Sequence, residues 1–166
     1  MNDIIKYPDA RLRQTARPVD RFDETLHLWL ETMANTMYDC GGVGLAAPQV
    51  GLNFRVFIID ISTHDSQFPR RMEFINPSFI SRSGSTTWEE GCLSLPGITE
   101  KVSRSAEICA DYFDREGKRH RIEAQALMAV AFQHELDHLD GKLFIDRLSP
   151  IKRILLKRKI EKGLKF

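Results

Sequence analysis

Residues 133–138, QHELDH, hold two histidines four positions apart, His134 and His138, with Glu135 directly after the first. On an α-helix the two imidazoles lie about 40° apart on one face, one turn from each other. This pattern is typical of metalloproteases, in which the histidines bind zinc and the glutamate is the general base. Two histidines do not complete a metal site, so the pattern alone does not define the reaction.

The helix predicted to carry these histidines spans residues 124–140 and is apolar around most of its circumference. The face of the helix that carries the two histidines, and the surface next to it, hold apolar side chains: Leu127, Met128, Ala131, Phe132 and Leu139. Polar residues occupy only the remaining arc: Gln125, Gln133, Asp137 and Asp140. A buried imidazole pair needs partners, because unsatisfied polar groups inside a protein are costly. Backbone hydrogen bonds in a plain core helix are one solution, but the His-Glu-x-x-His spacing favours a metal.

A third ligand must come from elsewhere in the chain. Proteases with this motif usually take it from downstream, but here Asp140 lies in the polar arc and Glu161 in a basic segment. Upstream, Cys92 follows a glycine just past a strand-like segment. An isolated cysteine is usually a small buried hydrophobe, yet beside a two-histidine helix that lacks a ligand Cys92 becomes the candidate. The remaining histidines have no such neighbours and are expected to be surface or structural residues: His27, His64 and His120.

The length of 166 residues predicts a single domain, 1–166. The composition is that of a soluble globular protein, with 42% hydrophobic and 28% charged residues and a net charge of +1. Three cysteines far apart in sequence argue against a disulfide framework and for a reducing compartment. We see no signal peptide and no segment long enough to span a bilayer, so we expect a cytoplasmic protein that does not enter the membrane.

The predicted strands and helices do not alternate as repeating βαβ units, so the fold is predicted to be of the α+β class. A helix is expected over 23–40, with Asp23 as its N-cap, and another from Ser149-Pro150 to the C-terminus. Strands are expected at residues 54–61, 71–80 (broken at Asn76-Pro77), 101–112 and 118–123, with a turn at residues 114–117 joining the last two as a hairpin. Residues 143–146 are expected to be extended. The predicted fold packs antiparallel or mixed strands around the buried motif helix and adds a C-terminal helix.

Charge is concentrated in residues 151–166, which hold seven basic residues and one acid, a formal +6. Residues 1–150 therefore carry −5. A basic terminal helix on a mildly acidic body indicates an anionic partner, such as nucleic acid or a ribosomal surface. A solvated helix without a partner is the alternative.

Three segments together resemble the signature motifs of the bacterial peptide deformylases: GVGLAAPQ (42–49), EGCLS (90–94) and QHELDHLDG (133–141). Their order and spacing fit that family, and the opening KYPDARLRQTARPV and the later FIDRLSPIK are similar to it as well. The resemblance thus covers nearly the whole chain. It implies an iron-type enzyme that removes the N-formyl group from the initiator methionine of nascent polypeptides and releases formate.

The resemblance also implies roles for individual residues. Cys92, His134 and His138 would bind one Fe²⁺ per chain, with water as the fourth ligand, and Zn²⁺, Ni²⁺ or Co²⁺ would be able to substitute. Glu135 would be the acid/base residue, and Gln49 with the Leu93 N–H would hold the oxyanion. The resemblance to this family further implies a monomer that docks on the ribosome through its basic C-terminal helix.

Substrate contacts are expected on both sides of the motif helix. Gly42, Val43 and Gly44 can form a helix stop and tight turn, or can let an extended peptide pair closely as an added strand. A pocket for the methionine side chain would be lined by Val43, Trp88, Leu127, Val130 and Ala131. Trp88 stands where many members carry a smaller aliphatic residue, and Gly97-Ile98-Thr99 lacks a basic residue that some relatives have.

Two other functions are weighed against this one. A zincin-like endopeptidase would need a downstream ligand and a cleft on both sides of the scissile bond. A non-catalytic, metal-stabilised module would need a fourth protein ligand, for which Cys109 is the remaining cysteine near the motifs, although it falls on the polar face of its strand. Finally, Arg104 is the one charged residue on the apolar strand face, and we hypothesise that it pairs with Glu90 to brace the Cys92 segment.

Overall fold

The computed structural model describes residues 3–161. Seven strands form two antiparallel sheets: β1 Gly44–Ala46, β2 Val56–Ile59, β3 Met72–Ser83, β4 Thr86–Cys92, β5 Leu95–Arg104, β6 Glu107–Phe113 and β7 Arg119–Gln125. The larger sheet has the order β1-β2-β3-β6-β7, and β4 and β5 form a separate hairpin. The helices are α1 Glu24–Asp39, α2 Ala126–Leu139 and α3 Pro150–Glu161. The predicted α+β class is confirmed.

Strand β2, next to the edge strand β1, shows how the layers are arranged. Phe57 and Ile59 pack with α2 residues in one core cluster, whereas Val56 and Ile58 pack with α1 residues in another. Because successive side chains of a strand point to opposite faces, α1 and α2 cover opposite faces of the larger sheet. The β4–β5 hairpin also contacts α2, through Glu90 on His134 and Arg104 on Asp137. Residues 128–139 of this helix are all buried.

Helix α1 begins where the sequence predicts. The Asp23 carboxylate accepts hydrogen bonds from the backbone N–H groups of Thr25 at 3.1 Å and Leu26 at 3.4 Å, so it is an N-cap. The apolar positions at helical spacing, such as Leu30 and Met33, are fully buried. The turn at residues 114–117 and the return strand are also confirmed, since β6 and β7 pair in register from Glu107–Gln125 to Phe113–Arg119.

The prediction of one strand over residues 101–112 is wrong. The chain leaves the hairpin after Arg104 and enters the larger sheet at Glu107, so the segment belongs to two strands in two sheets. At the crossing, Gln133 of α2 accepts from the Ser105 N–H at 3.0 Å and donates to the Ser105 carbonyl at 2.9 Å. These bonds replace a strand partner, and the alternation of apolar residues continues across the break.

Two smaller predictions also need correction. Residues 143–146 are not extended: a 3₁₀ turn, Phe144–Arg147, forms there, and the Asp146 carboxylate accepts from the Leu143 N–H at 2.9 Å. Strand β3 is not interrupted at Asn76-Pro77 but only shifts register between Ile75 and Ser78. Asn76 adopts φ 49° there and hydrogen-bonds the backbone of Val19 with both ends of its amide.

The C-terminal helix α3 packs against the β4–β5 hairpin. Leu156 is buried in a cluster with Leu95, Ile98 and Val102 of β5. Lys152, Lys157 and Arg158 face solvent. Of the remaining tail charges, Lys162 and Lys165 lie outside the described residues. Within residues 3–161, no helix combines the length and apolarity that crossing a membrane requires.

Candidate metal centre and adjoining cleft

The structure brings Cys92, His134 and His138 together, with one ligand atom from each lying within 4.8 Å of the other two. Cys92 ends strand β4, and the two histidines come from successive turns of α2. The Cys92 Sγ lies 3.3 Å from His138 Nε2, and the two imidazole rings are 5.1 Å apart between centroids. A cysteine and two histidines more than 40 positions away from it in sequence therefore form one cluster of nitrogen and sulfur donors.

His134 is oriented by a buried carboxylate. Its Nδ1 lies 2.8 Å from Glu90 Oε2, so a proton on Nδ1 is donated to Glu90 and Nε2 is left as the lone-pair donor. Glu90 in turn accepts from Arg104 with both oxygens, at 2.7 and 2.9 Å. The predicted pair of Arg104 and Glu90 is thus present, and it acts two residues from Cys92 in the same hairpin.

Glu135 lies beside the two histidines but is directed toward β1. The backbone of Gly44 is so close that a Cβ added there would lie 2.5 Å from Glu135 Oε1. Glu135 Oε2 is buried and has no hydrogen-bond partner among the described residues. Burial raises the pKa of this carboxyl to about 7 against the opposing effect of the two imidazoles. Such a group can exchange a proton near neutral pH.

Gln49 is held with its amide nitrogen facing the cysteine. Its Oε1 accepts from the Ala46 N–H at 2.9 Å, and its Nε2 lies 3.1 Å from Ser94 Oγ and 3.5 Å from Cys92 Sγ. The neighbouring Leu93 carbonyl accepts from Lys6 Nζ at 2.7 Å. Both amide ends of Gln49 are therefore placed by contacts, and the N-terminal segment supports the turn that follows Cys92.

The donor set fits a divalent cation. Burial alone would raise the pKa of the Cys92 thiol, but the imidazoles of His138 and His134 outweigh it and hold that pKa well below its usual range. A thiolate and two imidazoles are ligands that zinc and ferrous iron accept. Within residues 3–161 the cluster contains three protein ligands, which is the number typical of a catalytic rather than a structural metal site. The carboxylate on His134 supplies the orienting contact that metal-binding histidines commonly have.

A cleft of about 650 Å³ opens next to this cluster and reaches His134 and Glu135. Every residue predicted to contact substrate lines it: Gly42, Val43, Gly44, Trp88, Leu127, Val130 and Ala131. Trp88 is half-buried and donates its indole N–H to Thr86 Oγ1 at 3.2 Å, which fixes the ring at the wall. The cleft remains open with this large side chain in place.

Cys109 lies on β6 of the larger sheet and lines a separate depression with Glu107 and Glu123, not the cleft. Within residues 3–161 the metal-ligand cluster does not include it. This location removes the sequence argument for a fourth protein ligand and for a non-catalytic metal module.

Some residues near the site were not anticipated from the sequence. Asp137 and Gln133 belong to the predicted polar arc of α2, yet both are buried. Asp137 accepts hydrogen bonds from Arg104 and Arg147, the latter at the end of the 3₁₀ turn. Ser94 and Lys6 also contact site residues. The charged residue on the apolar strand face was the only signal of a buried ion cluster, and nothing in the spacing pointed to Arg147.

Comparisons with known proteins agree with the motifs. The family model described as polypeptide deformylase matches residues 1–154. The peptide deformylase of Alkalilimnicola ehrlichii is 48% identical over 160 residues, covering 96% of this chain and 89% of the relative. That of Syntrophobacter fumaroxidans is 46% identical, covering 98% and 95%. A crystal structure of a peptide deformylase from Legionella pneumophila superposes with a TM-score of 0.89 at 44% identity, covering 98% and 94%.

Proposed function

The chain belongs to the peptide deformylase family, and from this premise we propose that it hydrolyses the formamide at the N-terminus of formyl-methionyl nascent polypeptides. The products are formate and a free amino group. One observation carries the proposal: the Cys92, His134 and His138 ligand atoms and the buried Glu135 carboxylate meet at the side of a single open cleft.

Cys92, His134 and His138 are the proposed metal ligands, for one Fe²⁺ per chain, with Zn²⁺, Ni²⁺ or Co²⁺ able to substitute. A cation held there supplies a Lewis acid that polarises a carbonyl group and lowers the pKa of water. The thiolate makes a ferrous site sensitive to air, since sulfur ligands oxidise readily.

Glu135 is the proposed acid/base residue. Its carboxylate accepts a proton from the water whose oxygen bonds to the formyl carbon, and it returns that proton to the amine nitrogen as the C–N bond breaks. Gly44 supports this assignment, because the missing side chain there lets the carboxylate lie against the edge of the cleft. The water molecule supplies the hydroxyl group of formic acid and the second hydrogen of the released amine.

Gln49 and the Leu93 backbone are the proposed oxyanion donors. The Gln49 Nε2 amide lies within 3.5 Å of Cys92 Sγ, so a formyl oxygen beside the cysteine is within its reach. The bond from the Ala46 N–H to Gln49 Oε1 fixes which end of the amide faces the site. A donor that is already oriented lowers the energy of the developing negative charge without reorganisation during the reaction.

Strand β1 is the proposed docking edge for the peptide main chain. It is the edge strand of the larger sheet and pairs only with β2 among the described strands. Val43 O accepts from the Asp60 N–H, while the Ala46 N–H turns away to Gln49. Because antiparallel bonding alternates along a strand, the Gly44 N–H and carbonyl also point away from β2. An extended substrate can pair with them whatever its side chains are.

The formyl-methionine side chain is assigned to the part of the cleft lined by Val43, Trp88, Leu127, Val130 and Ala131. The last three come from the face of α2 that also carries His134, so this wall and the reactive groups share one rigid element. We further assign the reaction to a cytoplasmic monomer that docks on the ribosome through the exposed basic residues of α3.

The test is formate release by protein purified without oxygen, with its metal content measured by mass spectrometry. We expect about one metal per chain and turnover of formyl-Met-Ala-Ser. Acetyl-Met-Ala-Ser and a longer peptide without a formyl group are the controls. Cleavage of internal peptide bonds with no formate released would refute the proposal and favour an endopeptidase.

A further inference from the structure

We infer that Arg147 is a positioning residue for the metal ligand His134 and acts on it through two separate contacts. The inference rests on the proposed metal site. Arg147 closes a chain of buried ion pairs behind α2, and it ends the 3₁₀ turn that packs an aromatic ring against the His134 imidazole.

The first contact is a continuous chain of charged groups. The Arg147 guanidinium donates to both carboxylate oxygens of Asp137, through Nε to Oδ2 at 3.0 Å and through a terminal nitrogen to Oδ1. Asp137 also accepts from Arg104, which holds both oxygens of Glu90. Glu90 accepts from His134 Nδ1. Each link is a hydrogen bond, so a shift of Asp137 is transmitted to the imidazole.

Charge explains why the outer member is needed. The carboxylates of Glu90 and Asp137 are only 5% and 7% exposed, and the Arg104 side chain between them is 2% exposed. Two buried carboxylates with one buried cation leave a net negative charge, which is costly inside a protein. Arg147, 39% exposed, supplies the second cation. Without it Asp137 would compete with Glu90 for Arg104, and Glu90 would lose part of what fixes it against His134.

The second contact runs through the 3₁₀ turn Phe144–Arg147. The Phe144 ring lies nearly parallel to the His134 imidazole, at 21° with centroids 6.1 Å apart. Asp137 lies three residues after His134 on α2, so the Arg147–Asp137 pair ties this turn to the helix one turn from the ligand. One residue thus holds both the ring beside His134 and the ion chain behind it.

The matched control is Arg71, which lies away from the cleft and also makes a two-point ion pair. It bonds both oxygens of Glu31 at 2.8 and 2.9 Å and is 26% exposed. Arg147→Met and Arg71→Met remove the same chemical group from similar degrees of exposure. Arg147→Lys keeps the charge but loses the planar two-point geometry.

The experiment loads the full-length wild type and these variants with Co²⁺ and follows its loss to an excess of chelator, at a temperature well below every melting midpoint. Changing the outer partners of a metal ligand typically weakens metal binding about 10–100-fold. For Arg147→Met, one link further out, we expect release at least about 5-fold faster than from Arg71→Met, with Arg147→Lys in between. The Co²⁺ absorption bands should also shift only in the Arg147 variants.

Equal release rates and equal spectra for Arg147→Met and Arg71→Met would overturn the inference, because Arg147 would then be an ordinary surface cation. A wild-type protein that binds no Co²⁺ would instead refute the metal site on which the inference rests. A general loss of stability in both arginine variants with normal metal retention would count against a positioning role as well.

Discussion

The Glu135 carboxylate occupies the space in which Gly44 would carry a side chain: Oε1 lies 2.5 Å from the ideal Cβ position, and the glutamate Cδ lies 3.0 Å from it. Real Cβ atoms are not found at that separation, so the two residues are coupled. The sequence suggested that small residues here admit a substrate backbone. In the structure, Gly44 first of all admits the proposed acid/base residue.

The substitution Gly44→Ala should therefore displace Glu135. A misplacement of about 1 Å can lower a rate about 10²-fold, so we expect a loss of that order in kcat for formyl-Met-Ala-Ser, with metal content unchanged. Gly42→Ala is the control, because the closest atom to a Cβ there is the end of the Leu93 side chain at 2.9 Å, which can rotate away, and the Gly44 carbonyl oxygen lies at an ordinary 3.4 Å. Equal effects of the two changes would argue against the coupling.

The substitution Glu135→Gln should leave metal content and stability nearly unchanged. Glu135 Oε2 has no hydrogen-bond partner among the described residues, so the substitution breaks no hydrogen bond at that atom. Loss of general acid/base catalysis typically costs about 10²–10⁴-fold in rate. Formate release and metal analysis on the same preparation would check this, and a variant that remained fully active would rule out the assigned role.

The substitution Gln49→Leu should lower kcat with little change in KM. It removes the amide beside Cys92 while keeping a side chain of similar size, and loss of one oxyanion donor usually costs about 10²–10³-fold. Ser94→Ala removes only the hydroxyl partner of the same amide. We expect a much smaller effect from that change, and steady-state kinetics on formyl-Met-Ala-Ser would separate the two.

The substitution Arg104→Ala should destabilise the fold as well as the site. It leaves Glu90 without its two-point partner, and breaking a buried pair from one side costs about 3–5 kcal/mol in the free energy of unfolding. Urea unfolding and metal retention would both be measured. Arg104→Lys should recover only part of the loss, since an ammonium cannot reproduce the three guanidinium bonds. Unchanged stability and metal retention in Arg104→Ala would show that Arg104 does not brace the Cys92 segment.

The double substitution Lys157→Glu and Arg158→Glu should weaken ribosome co-sedimentation and spare turnover of short formyl-peptides. Both side chains are exposed on α3, whereas Leu156 is buried against the hairpin that carries Cys92 and is left intact. Lys101→Glu with Lys118→Glu is the control, since it makes the same charge change elsewhere on the surface. If the wild type and both double variants sediment with ribosomes to the same extent, docking through α3 is wrong.

The sequence by itself determined the reactive groups and the local elements that hold them. His134 and His138 share a helix face because of their spacing, and Asp23, the turn at residues 114–117 and the motif helix follow local rules of capping, turn formation and periodicity. These features depend on neighbours a few positions away, and such interactions can be read from a single chain. Cys92 could be selected only because the helix lacked a ligand and three motifs resembled one family.

The tertiary structure decided which distant groups meet. The alternation of residues 101–112 gives no sign that the chain changes sheets at Ser105, because the even-numbered residues are buried on both sides of the break: Val102 and Arg104 before it, Ile108 and Ala110 after it. The sequence places Asp137 on the polar arc of the motif helix, whereas in the structure the hairpin and the 3₁₀ turn bury it between Arg104 and Arg147. Burial and ion pairing depend on what packs over a helix face. That packing is set by contacts between segments distant in sequence, and the local periodicity of one segment carries no information about them.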